Sequence, residues 1–278
     1  MLIGWVVATA GCGVALSTAT LSTPQSILQA VKSRPDRTTL EIFQVRVPED
    51  DAQFDEDLWQ AVDEQRLDLA LRNRLVSNGI RVGIISGALP DSLARSMNLQ
   101  SEMPEDSNTR VVDEQLAAPR VTRRVLQLKH REPAAIKVTE PQSLVNVFVN
   151  SENGVQGRSY SEVEGVYAMQ VESVPGQKIA VELVPELHFG EMKNRYAGSD
   201  QGIFVVTPSR ERQVFDQLKS EIELSAGELL VLSGIPDTRG SLGDALHGSQ
   251  LPGSHDQKLI LIRLLEIPPS EILADAAP

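Results

Sequence analysis

The side chains able to do chemistry are few and scattered. His188 lies in Pro185-Glu186-Leu187-His188-Phe189-Gly190-Glu191, so an imidazole and two carboxylates could meet at one strand end. Zinc takes three or four convergent ligands, and none of His130, His247 and His255 stands at motif spacing from His188. His188 therefore reads as a polar strand end, with no metal and no cofactor expected. Ser233-Gly234 lacks the Gly-x-Ser-x-Gly elbow that presents a nucleophilic serine. Gly240-Ser241-Leu242-Gly243 has the glycines of a phosphate cradle, but no Lys follows it and no helix of the P-loop kind is expected after it. Cys12 is the single cysteine, which excludes an internal disulfide. No catalytic residue is assigned.

The elements that would position these groups are organised around 221–267. Ile222 and Leu224 alternate with Glu221, Glu223 and Ser225, the period of a half-buried strand. Gly227 turns the chain, Leu229 to Leu232 form a strand covered on both faces, and Gly234 and Pro236 stop it. Gly227, Gly234 and Pro236 are the structural turn residues of this reading. Upstream, 40–47 alternates as a strand. A helix is expected next, capped by Asp55, with an apolar stripe through Leu58, Trp59, Val62, Leu67, Leu71 and Leu75 to the stop at Asn78-Gly79. A strand at 80–85 and a short helix through Met97 complete a small β-α-β-α unit, in which Asp68 and Arg72 read as a solvated pair. Beyond the acidic stretch 100–108 the pattern turns to β. Strands are expected at 124–128, 135–138, 144–150, 163–171, 179–187 and 203–206, with a helical turn over 211–219, before the strands of the organising stretch.

The chain has 278 residues and a net charge of -12, and its one dense basic group is Arg120, Arg123 and Arg124. A phosphate backbone needs more cationic surface than that, so nucleic acid is excluded as a partner. Aromatic residues at 4% argue against stacking surfaces.

Residues Leu2 to Leu16 are apolar or small, too short to span a bilayer but suited to the hydrophobic core of a signal peptide. Thr9-Ala10-Gly11-Cys12 resembles the lipobox of bacterial lipoproteins, which implies lipidation of Cys12 and attachment to a membrane through that lipid. The β half resembles the C-terminal domain of secretins, the channel family of type II and type III secretion systems. The resemblance is carried in order by Ala134-Ala135-Ile136-Lys137-Val138, by Glu164-Gly165-Val166 through Val171 with Ile179 to Glu186, by Gly227-Glu228-Leu229-Leu230-Val231-Leu232-Ser233-Gly234-Ile235, by Pro236 and Gly240-Ser241-Leu242-Gly243-Asp244-Ala245-Leu246, and by Leu259 to Leu264. Ser233 replaces a glycine of the family pattern, and His247 stands where an aromatic is expected.

Together these readings give an α+β chain. Its expected parts are a signal peptide over 1–12, a tether over 13–37, a small β-α-β-α domain over 38–99, a linker over 100–114, a mostly antiparallel secretin-like domain over 115–269 and a tail over 270–278. The expected role is a non-enzymatic structural or assembly component of the bacterial cell envelope, an outer-membrane or periplasmic lipoprotein whose partner is protein, including itself as a ring or strand-edge oligomer. A monomeric exported module binding protein or glycan through loops such as 236–255 is the second reading. A hydrolase with a site assembled from distant residues is the third.

Overall fold

The computed structural model describes residues 34, 36–48, 51–98, 121–198, 204–248 and 256–268. In chain order its elements are β1 (Thr38–Pro48), α1 (Ala52–Ala61), α2 (Leu69–Ser77), β2 (Ile80–Ile85), α3 (Asp91–Asn98), β3 (Val121–Leu128), β4 (Ala134–Lys137), β5 (Gln142–Ser151), β6 (Gly154–Val174), β7 (Lys178–Gly198), β8 (Phe204–Val214), β9 (Ser220–Ser225), β10 (Leu229–Gly234), α4 (Leu242–His247) and β11 (Asp256–Glu266). The architecture is mostly antiparallel β-sheet, in two sheets.

The first sheet has the order β2-β10-β11-β1-β3, every neighbour antiparallel. Both of its faces are apolar because both are covered. Leu40, Ile42, Val82, Ile84, Leu230, Leu232, Ile260 and Ile262 share one core with Tyr167, Met169, Val171, Val181 and Leu183 of the second sheet. Phe43, Val45, Val47, Leu229, Val231, Leu259 and Leu261 pack on the other side with Phe54, Leu58 and Trp59 of α1 and Leu93 of α3. Each such side chain contributes roughly 1.5–3 kcal/mol on burial, so the continuous apolar run in β10 is what places it centrally.

The expected division at 100–114 does not hold as a boundary between independent folds. β1 and β2 belong to the same sheet as β10 and β11, with β1 ladder-paired to β11 along ten residue pairs. The small N-terminal α/β unit therefore supplies two of the five strands of a sheet that β3, β10 and β11 complete. The long helix expected through Leu75 is also two helices. Asp51, not Asp55, caps α1 by accepting from the Phe54 N–H, and Asp68 caps α2 by accepting from Ala70 and Leu71. Between them Asp63 exchanges two backbone hydrogen bonds with Ile84, at 2.8 and 3.0 Å, and so pairs with the outer edge of β2. Satisfying that edge outweighs continuing a helix.

In the second sheet β6 and β7 are each 21 residues long, more than the sequence pattern marks. β4 and β5 lie in turn along β6, and β8 and β9 lie in turn along β7. The expected helical turn at 211–219 is the end of β8 followed by a single 3-10 turn, Asp216–Leu218. The expected leader with Cys12, most of the expected tether, and the expected linker and tail lie outside the described residues.

Candidate functional site

The sheet is divided at its centre. β6 and β7 pair from Val174 and Lys178 as far as Glu164 and His188, and there the ladder between them ends. Beyond that point β6 keeps β5 as its partner and β7 keeps β8, giving two ribbons. Both strands leave ordinary β geometry at the fork. Glu162 has φ of 50° and Gly190 has φ of 76°, left-handed values that glycine tolerates and glutamate adopts only under constraint. Arg210 of β8 supplies that constraint. One nitrogen of its guanidinium donates to the Glu162 carbonyl at 2.8 Å and also to the Gly190 carbonyl, occupying the place where the ladder would continue.

The charges around Arg210 hold it there. Its Nε stands 3.6 Å from Glu164, which also faces Lys137 at 3.5 Å. On the opposite side of the fork Tyr160 and Phe189 meet edge to face at 5.0 Å, with the Arg158 guanidinium over both rings. His188, the residue the sequence singles out, is beside this network. Its Nε2 donates to Glu186 at 2.6 Å, and Arg212 lies 3.9 Å from the same carboxylate. Glu191 is exposed beyond the kink, and among the described residues no three His, Cys, Asp or Glu side chains converge as metal ligands. On the same pleated face a polar pocket of about 380 Å³ is lined by Gln170, Arg131, Glu172, Glu182, Lys219 and Glu221. Four of its charged side chains are already paired, Arg131 with Glu172 at 2.8 Å and Lys219 with Glu182 at 2.6 Å. Such an arrangement fixes a backbone shape.

The remaining residues singled out in the sequence serve the frame. Gly227 turns β9 into β10 with φ of 86° and open space where a Cβ would stand. Gly234 lets β10 approach α4, since a Cβ there would meet the Cβ of His247 at 3.1 Å, and Pro236 follows half-buried. The Gly240–Gly243 loop spends its donors within the fold: the Ser241 N–H donates to the Thr238 carbonyl at 3.0 Å and the Gly243 N–H to the Asn78 carbonyl at 2.8 Å. Ser241 Oγ accepts from the Asp244 N–H at 3.1 Å, and the Gly240 N–H donates to Asp244 at 2.7 Å. The Ser233 hydroxyl is buried and donates to the Gly234 carbonyl.

Sequence reasoning misses three features. His247 is wholly buried: its Nδ1 donates to the Lys258 carbonyl at 2.7 Å, so its Nε2 accepts from the Tyr167 hydroxyl at 2.8 Å. Burial holds the imidazole down to about 4 and pushes the Tyr167 hydroxyl up. Glu41 is fully buried between Arg123 and Arg263. Phe148 is 55% exposed in mid-strand, its ring lying over Gly157 and Gly240, whose added Cβ atoms would stand 2.9 and 3.2 Å from it. The isolated glycine at 190 is a legible sign of the fork, since glycine inside a strand marks a bulge. No family model, no curated protein and no solved structure matches the chain.

Proposed function

We propose that the chain is a non-enzymatic structural component of the bacterial cell envelope, a secretin-like lipoprotein anchored by a lipid on Cys12 and associating with copies of itself through strand edges. The observation that carries this reading is the fork: two ribbons, β5–β6 and β7–β8, whose facing edges form no ladder among the described residues. A strand edge is a row of unpaired N–H and C=O groups, and proteins that do not use such an edge shorten it, bend it or cover it. The β5 edge is covered. The Asn150 N–H donates to Asn78 Oδ1 at 2.8 Å, Asn78 Nδ2 donates to the Asn150 carbonyl at 2.9 Å, and the Phe148 N–H donates to Gly240 at 2.7 Å. Among the described residues the edges that face each other across the fork meet only the Arg210 guanidinium, at the Glu162 and Gly190 carbonyls, and side-chain contacts such as Arg158 to Gln213 at 3.3 Å, with no backbone pairing over their length.

Native mass measurement of detergent-extracted full chain, after growth with labelled fatty acid, tests this function. Labelled multimers are expected, with label lost in Cys12→Ser. An unlabelled monomer at every concentration sinks the reading. The exposed Phe148 ring favours a second reading, a monomeric module binding protein or glycan, and that reading expects the monomer.

A further inference from the structure

The two ribbons of the fork are not equivalent. The β5–β6 ribbon rests on the body of the protein, with Val145, Val147 and Tyr160 buried in the main core. Among the described residues β7 is paired only with β8 from the fork outward, and Glu191, Met192, Lys193 and Asn194 are exposed. A two-stranded ribbon is marginal in water, and a third strand is what ordinarily stabilises it. The missing strand has a length and a direction. β6 and β7 are both 21 residues long, and the register that pairs Val174 with Lys178 would bring Gly154 opposite Gly198. The far half of β6 is thus matched to the far half of β7, about ten residues or roughly 30 Å on each side. Within one chain Arg210 stands between them, joined to the Glu162 and Gly190 carbonyls two residues beyond the last pair of the ladder.

We infer that the far half of β6 in one copy of the chain pairs, antiparallel, with the far half of β7 in a second copy, the seam that Arg210 keeps open within each copy being closed between copies. This inference rests on the reading that copies associate through strand edges, and it names the edges. The β6 edge suits the role. Residues 154–159 are exposed, and the ribbon is fixed to the body through β5, so it presents a preformed template. The pairing is heterologous, an edge of one kind meeting an edge of another, so two copies joined at one seam retain between them one edge of each kind for reciprocal exchange or for growth.

Thiol pairing across the seam tests it in the full chain carrying Cys12→Ser. Ser159 and Lys193 are exposed and would stand opposite each other in the extended register. Ser159→Cys and Lys193→Cys are made separately, mixed, and treated with a short bismaleimide, with native mass measured on the same samples. The expected result is a covalent dimer in the mixture, several-fold above that from either variant alone. A multimer by mass with no such dimer overturns the inference and leaves strand-edge association standing through other edges. A monomer by mass at every concentration overturns both. The two cysteines placed in one chain supply a further decision: a link within the chain at high dilution shows that the arms zip on themselves, and the inference falls.

Discussion

At the residue scale the chain's histidines illustrate how far residue type alone can be followed. His188 has carboxylates beside it in sequence and pairs with one of them, yet it is a partly exposed member of an ion-pair network. His247 has no such neighbours and is the histidine the fold encloses, its partners Tyr167 and Lys258 lying 80 and 11 residues away. Nothing local announces this, because α4 has only six residues and shows no periodicity from which a buried face could be recognised. The consequence is a dependence on pH. His247 titrates near 6.5 unfolded and near 4 folded, so between those values the unfolded chain binds the additional proton. Stability from this group is complete above pH 6.5 and is lost as the pH falls toward 4, by about 3 kcal/mol in all. Denaturant melts of the wild type and His247→Gln at pH 7 and pH 4.5 check this. The variant should be less stable at pH 7 and should lose markedly less on acidification, and equal losses in the two proteins would show that His247 is not the group responsible.

At the scale of elements the sequence pattern was a good guide to strand centres and a poor one to their ends. β10 was legible because four consecutive apolar residues between a glycine turn and a Gly-Ile-Pro stop suit a strand covered on both faces, and Leu229 to Leu232 are indeed buried. β6 was not, because its first six residues are exposed and carry no alternation to mark them, being held by pairing to β5 rather than by burial. The helix break at Asp63 was hidden for a similar reason: its cause is the edge of β2. Glycines divide on the same principle. At Gly227 only the positive φ resists a side chain, so Gly227→Ala should cost about 1 kcal/mol. At Gly243 the obstacle is spatial. A Cβ there would come within 1.8 Å of the Gly79 carbonyl oxygen, on the α4 turn whose N–H donates to Asn78 at 2.8 Å. Backbone on both sides leaves little room to yield, so Gly243→Ala should cost at least about 3 kcal/mol, in the range of severe overpacking. A larger loss at Gly227 than at Gly243 in paired thermal melts would contradict this account of the α4 contact.

At the scale of the whole molecule the main correction concerns divisibility. An acidic, Pro-containing stretch between an α/β-patterned half and a β-patterned half has the composition of a linker, and composition cannot reveal that strands on its two sides are neighbours in one sheet. Removing the segment before residue 115 would take β1 from between β11 and β3, and β2 from beside β10. β3 would then have no partner in the sheet. The apolar face formed by Leu229, Val231, Leu259 and Leu261 would lose Phe43, Val45, Leu58, Trp59 and Leu93, leaving two apolar strands with one face open to water. Losing five large side chains from a core costs on the order of 10 kcal/mol by area alone, comparable to the whole stability of an ordinary domain. Residues 115–269 expressed alone should therefore fail to protect the β10 and β11 amides from exchange, even where the β6–β7 hairpin retains some protection. Supplying 33–99 as a separate chain should restore them, because the missing strands return by ordinary antiparallel pairing at both β10 and β11. Full protection of β10 and β11 in the isolated fragment would mean that the second half of the chain completes its sheet without the first.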